Sequence, residues 1–260
     1  MIYWIWLSKI SGIGCYTSRL LLKELKEPKN IYQASYEELL KIKGIGPKKA
    51  KQIYETKNLN KIQKILDDCE KKEIKIMTIY DDHYPEEARM LEDMPICLYY
   101  KGIVKNHMKK TAIVGSRRCD RQARQQTIEI ATNLTKQGIA IVSGMAKGID
   151  AYAQTACLRA GGYTIAVLGN GLDICYPSEH RILMENIERQ GLLISEYEPG
   201  VRPQKVYFPR RNRIIAAFSD EIIVTSAGKG SGALITAQYG EKYNRRVQII
   251  TKLNNQINFN

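Results

Sequence analysis

The sequence predicts an open parallel α/β sheet domain preceded by a small all-α domain. Three observations predict it: an early glycine-centred repeat, a later alternation of apolar runs with helical patterns, and glycines and cations placed where those runs end. The repeat comes first along the chain. Leu7-Ser-Lys-Ile-Ser-Gly-Ile-Gly14 aligns with Leu39-Leu-Lys-Ile-Lys-Gly-Ile-Gly46 at an offset of 32, identical at six of eight positions. Each copy leads into a helical pattern, over 17–26 and 48–55. Between them, Ser35 as N-cap and Glu38 three residues on predict a capped helix over 35–41. Two such units make a tandem helix-hairpin-helix (SAM-like) module, assigned to residues 1–70.

From Lys72 the pattern changes. Ile74–Ile79 and Ile96–Tyr100 read as strands, and six further apolar runs follow at 112–114, 139–142, 163–168, 192–194, 222–224 and 247–250. Helical patterns separate the six, over 121–136, 150–160, 178–190, 209–218 and 231–243. Continuous apolar strands alternating with helices signal a parallel sheet covered on both faces. Residues 71–260 are therefore expected to form one Rossmann-like domain.

Composition narrows the partners. Lys and Arg number 40 against 27 Asp and Glu, a formal charge of +13, which attracts polyanions without proving one. No run of about 18 apolar residues occurs, and Met1–Leu7 lacks the basic start and cleavage site of a signal peptide. The six cysteines, at 15, 69, 97, 119, 157 and 175, form no CxxC pair. Free thiols in a cytoplasmic protein are expected, with neither metal nor cofactor.

In an open parallel sheet, ligands gather at the carboxyl ends of the strands. The loops expected there are Gly115-Ser116-Arg117, Ser143-Gly144-Met-Ala-Lys147, Gly169-Asn-Gly171 and Ala227-Gly-Lys229-Gly230-Ser231. Glycine lets backbone amides approach an anion, and Arg117, Lys147 and Lys229 add charge. No dinucleotide fingerprint or Walker A sequence is present. The segment 202–213 carries five cations and no carboxylate, with Arg210, Arg211, Asn212 and Arg213 expected in the first turn of a helix after Pro209. Cations oppose the helix dipole there, which points to a bound anion. Phe208 beside them is a candidate stacking platform for unpaired bases. In the second hairpin, Gly44, Gly46, Lys48 and Lys49 could hold one backbone phosphate; the first hairpin is read as structural.

Catalytic signatures are lacking. His83, His107 and His180 fall in no ligand spacing, and His180 is expected to face solvent at a helix start. Asp150 and Asp173 are expected to orient arginines, so a non-enzymatic binder is the reading.

These loops resemble the DprA/Smf family of DNA-processing proteins. The resemblance rests on Ile113–Arg117, Val142–Asp150, Ile165–Asp173 with Tyr176-Pro177, Ile194–Glu196, Phe208–Ile215 and Ser231–Ala237, in that serial order. It implies a single-stranded-DNA-binding protein, usually a homodimer, that protects incoming strands and assists loading of the RecA recombinase in natural transformation. It also implies Arg117, Lys147, Arg211 and Arg213 as DNA contacts, so that replacing Arg117 and Arg213 should weaken binding. Gln154, the strand end Val224-Thr-Ser226 and the stretch 251–260 depart from the family pattern, which has a His, a Glu and a Pro-Gly there. The enzymatic alternative is a nucleotide-processing enzyme of the related lysine-decarboxylase-like (LOG) group. That chemistry wants a carboxylate by the last glycine loop, where this chain has none.

Overall fold

A computed structural model describes residues 1–228 and 230–250. Two compact units divide after Leu98. Lys229 and the divergent stretch 251–260 lie outside the described residues.

In the first unit, helices α1 (Ile2–Lys9), α2 (Cys15–Leu25), α3 (Pro28–Gln33), α4 (Tyr36–Leu40), α5 (Pro47–Glu55) and α6 (Asn60–Lys71) precede strand β1 (Lys75–Thr78) and the short helix α7 (Glu86–Arg89). α1 buries Ile5, Trp6 and Leu7 in succession. A helix apolar on most sides has no 3.6-residue rhythm, so its sequence reads only as the opening of a domain. Trp6 Nε1 donates to the Thr56 carbonyl at 2.7 Å, which ties α1 to the end of α5. α6 did carry a signal: Ile62, Ile65, Leu66 and Cys69 fall on one helical stripe, and Ile62 and Cys69 are buried.

The reciprocal cap at Ser35 is present. Glu38 N donates to Ser35 Oγ, and Ser35 N to Glu38 Oε2 at 2.8 Å. α4 has only five residues, so it depends on such end contacts. Ser35→Ala is expected to lower stability by about 1 kcal/mol, read as a drop in the urea midpoint. An unchanged midpoint would remove the cap from the stabilising contacts.

In the second unit, β2 (Cys97–Gly102), which begins in the first, leads to β3 (Lys110–Gly115), α8 (Arg121–Lys136), β4 (Ala140–Ser143), α9 (Ile149–Arg159) and β5 (Thr164–Leu168). Then follow α10 (Arg181–Gln190), β6 (Leu192–Ser195), α11 (Tyr207–Ala217), β7 (Glu221–Ser226), α12 (Gly232–Lys242) and β8 (Arg246–Ile249). The strands lie in the order β2-β6-β5-β4-β3-β7-β8. Neighbours from β6 to β8 are parallel. β2 is antiparallel to β6, with Tyr99 opposite Ser195. The sheet is thus mostly parallel, the mixed arrangement common among large α/β sheets.

The apolar runs are continuous because both faces are covered. Ile113, Ile141 and Ile223 pack with α8 and α9, in a core that includes Ile130, Leu134 and Ile149. Ile222, one residue from Ile223 and so on the other face, meets α12 at Gly240, where a Cβ would collide with it. From β3 the chain winds outward through β4, β5 and β6, then returns to lay β7 and β8 on the other side of β3. The winding reverses between β3 and β7, the place where such sheets open a crevice at their carboxyl edge.

Candidate functional site

At that edge the loops are stitched to one another by their backbones. Ser116 N donates to the Ser226 carbonyl at 2.7 Å, and Ile149 N to the Ser116 carbonyl at 3.2 Å. Gly148 has φ +78°, and a Cβ there would strike the carbonyl oxygens of Ser116 and Arg117. Only glycine permits both the conformation and the approach. Gly115 is constrained by close approach alone, against Ile149 and the Ser226 carbonyl. Ser143 is buried and donates to the Ile113 carbonyl at 2.7 Å, so its hydroxyl is spent inside the sheet.

The arginines of α11 are not where the sequence put them. α11 begins at Tyr207, so Pro209 occupies its first turn, a tolerated place, and Arg211 and Arg213 fall further in. Both are buried, at 4% and 5% exposure. Arg211 Nη1 donates to the carbonyls of Gly144, at 2.8 Å, and Val167. Its Nε donates to Asn212 Oδ1 at 3.1 Å. The guanidinium fills the space above Gly144, where any Cβ would meet it. Burial draws the Arg211 pKa down to about 10, opposed by the charge of Asp150, so it stays protonated at neutral pH.

Asp150 accepts from the amides of Gly144, at 3.1 Å, and Ala146. Burial pushes its carboxyl above the ordinary value, with Arg211 and these amides pulling it back. Arg213 donates to Glu196 at 2.8 Å, and Arg210, which is exposed, shares that carboxylate at 3.2 Å. The dipole argument for a bound anion therefore loses its force, because Asp150 and Glu196 supply the negative charge from other elements. Asn212, also buried, donates to the Gly232 carbonyl at 3.0 Å and holds the start of α12.

What remains outside are Arg117, Lys147 and Arg210, all exposed. The Arg117 guanidinium lies 5.5 Å over the Phe208 ring, and Phe208 in turn packs 5.5 Å from exposed Tyr176 at 30°. Gly169 lets the Phe208 ring rest on the loop after β5. The sequence marks Phe208 as a stacking platform and Tyr176 only as part of the family motif. The signal for Tyr176 was its place in a carboxyl-edge loop, two residues after Ile174, whose carbonyl accepts from Asn170. Lys147 is paired with Glu179 at 2.7 Å, and the contact draws the Glu179 carboxyl below its usual value.

One expectation needs correction. His180 is half-buried in a short turn over Ser178–His180 and bonds the Met145 carbonyl at 3.0 Å, so its Nδ1 carries the proton; it ties the loop after β4 in place. Asp173 accepts the Gly200 amide at 2.9 Å, which ties the loop after β5 to the segment after β6. Two departures from the family pattern sit inside: Gln154 donates to Thr164 and the Ile165 carbonyl, and Thr225 pairs with the Thr127 hydroxyl at 2.8 Å. Gly230 is exposed, and Ser231 caps α12 through Ala233 N.

In the first unit, the second hairpin turns at Gly44, φ +95°, and Gly46 opens α5 without a side-chain cap, which leaves its first amides uncapped. Lys48 is exposed, whereas Lys49 folds back onto the Gly44 carbonyl at 3.3 Å. In the first hairpin, Arg19 donates to the Arg89 carbonyl at 2.6 Å and the Met94 carbonyl at 3.2 Å, a structural use of its charge.

Residues 75–259 match the family model for DNA recombination-mediator protein A, and residues 7–56 match that of the SAM-like helix-hairpin-helix tandem. Protein Smf of Synechocystis is 38% identical over 251 residues, covering 94% of this chain and 63% of that protein. DNA processing protein DprA of Streptococcus pneumoniae is 42% identical over 173 residues, covering 65% of this chain and 60% of its own length. The chain thus spans under two thirds of the length of these relatives. The X-ray structure of pneumococcal DprA superposes with a TM-score of 0.80 at 33% identity, over 98% of this chain and 88% of that one. DNA processing protein A of Helicobacter pylori, solved for its single-stranded DNA binding mode, gives 0.62 at 35% identity, over 69% and 83%.

Proposed function

Since the chain belongs to the DNA recombination-mediator protein A family, we propose that it binds single-stranded DNA along the carboxyl edge of its sheet. The observation that carries this reading is the Arg117–Phe208–Tyr176 cluster, an exposed cation over one aromatic ring with a second, exposed ring beside it. Rings of that kind accept unpaired bases, and cations beside them accept phosphates, in a sequence-tolerant way. Arg117, Lys147 and Arg210 supply the charge; Gly115, Ser116, Gly230 and Ser231 bring backbone close to the strand, while Gly144 is covered by Arg211 and acts from beneath. Ser143, Arg211, Asn212 and Arg213 act from beneath, by holding that surface in shape. Gly44, Gly46 and Lys48 of the second hairpin form a weaker phosphate contact.

In this reading residues 71–260 are the DNA-binding domain and residues 1–70 a separate helical module. The protein works in the cytoplasm as a homodimer, without catalysis of its own, protects incoming strands and delivers them to RecA. None of these partners enters through the geometry; they follow from the family. The test is competition among single-stranded DNA, duplex and AMP for the full chain. A clear preference for single strands, falling steeply as salt rises, is expected. Preference for duplex would move the working surface to the hairpins, and release of base from AMP would revive the nucleotide-processing reading.

A further inference from the structure

On the α8–α9 face of the second unit lies an open groove of about 520 Å³ that meets the rim only at Glu179 and His180. α8 lines it with Arg124, Ile128, Thr132 and Lys136. A spacing of four puts these on one slanting row, rising about 18 Å along the axis at 1.5 Å per residue. α9 and the cap residue after it supply a floor of small residues, Ala151, Thr155, Ala156 and Ala160, and Leu183 forms part of the lining from α10. Small residues allow the backbone of another helix to come close, and an apolar wall gives it something to bury.

The charge is arranged at the ends. Arg124 sits at one end, its guanidinium 4.6 Å over the Tyr152 ring, and exposed Lys136 and Arg159 sit at the other. Glu179 also borders the groove but is held by Lys147. Between the charged ends the lining is Ile128, Thr132, Thr155 and Ala156, without charge.

We propose that this groove docks a short amphipathic helix of a partner protein, apolar along its buried face and carrying carboxylates at both ends. A nucleic-acid strand fits less well. It carries a charge on every nucleotide and would lay its middle phosphates over an uncharged, partly apolar floor. The occupant is therefore a polypeptide, and the inference stands whether or not the rim binds DNA.

The probe is a synthetic helical peptide of about 14 residues, about 21 Å long. It has Leu spaced at i, i+4 and i+7, Glu in its first and last turns, and a fluorescent label read by anisotropy on the full chain. Saturable binding is expected, at least about tenfold tighter than for the same peptide with Lys in place of Glu. Arg124→Glu with Arg159→Glu, both exposed, should weaken it by roughly tenfold or more. Thr155→Trp, which fills the floor and leaves every charge in place, should abolish it; circular dichroism melts check that each variant folds. Absence of binding, equal binding of the acidic and basic peptides, or unchanged affinity in the variants each overturns the proposal. So does a single-stranded oligonucleotide that loses affinity in the double variant as much as the peptide does.

Discussion

Arg211→Met is expected to destabilise the protein by at least about 1–3 kcal/mol, the cost of leaving a buried hydrogen-bonding group unsatisfied. The loss arises on both sides of the guanidinium. The carbonyls of Gly144 and Val167 lose their donor, and Asp150 is left buried without its cation. Urea unfolding followed by circular dichroism measures it, and stability equal to the parent would deny Arg211 this role. Adding Asp150→Asn to the Met variant should return part of the loss, since the unpaired charge is then gone. The pH dependence has a definite sign. Burial already holds the Asp150 carboxyl above its ordinary 3.8, so the folded state takes up a proton before the unfolded chain does. The cost of burying this charge is therefore full at neutral pH and is relieved as pH falls through the folded pKa. The deficit of the Met variant should be smaller at pH 5 than at pH 7.

The second large effect belongs to the outward cations. Arg117→Ala combined with Lys147→Ala is expected to cut affinity for single-stranded DNA by roughly 10- to 100-fold at low salt and to reduce the salt slope by about 1.4, at about 0.7 per lost phosphate contact. Both side chains are exposed, so the melting temperature should hold. Anisotropy titrations across a salt series read the affinity and the slope together. Retained affinity with an unchanged slope would reject the rim as the binding surface. Arg117 paired with Arg213, the choice suggested by sequence, is a poorer test, because removing Arg213 from Glu196 perturbs α11 along with any ligand contact.

Much of this architecture could be read in advance. The repeat at Gly12 and Gly44, the six apolar runs and the glycines at their carboxyl ends are local patterns, and local patterns survive in a sequence. The burial of Arg211 and Arg213 is not local. Asp150 lies 61 residues before Arg211, and Glu196 lies 17 before Arg213, so a run of arginines without nearby acid looks like a surface waiting for an anion. The antiparallel seat of β2 was illegible for the same reason, since its partner β6 begins some ninety residues later. α1 escaped because a helix buried nearly all round leaves no polar face to mark its turns.

The close contact of Gly148 with the Ser116–Arg117 backbone bears on speed. Loops fastened together this way have no separate closing motion to complete once a ligand arrives, so encounter and capture merge into one event. Association should then follow the long-range electrostatic pull of the chain and vary little with temperature beyond the viscosity of water. Substituting Gly148 with a bulkier residue would prise those turns apart, and a slow second phase in the binding trace would be its mark.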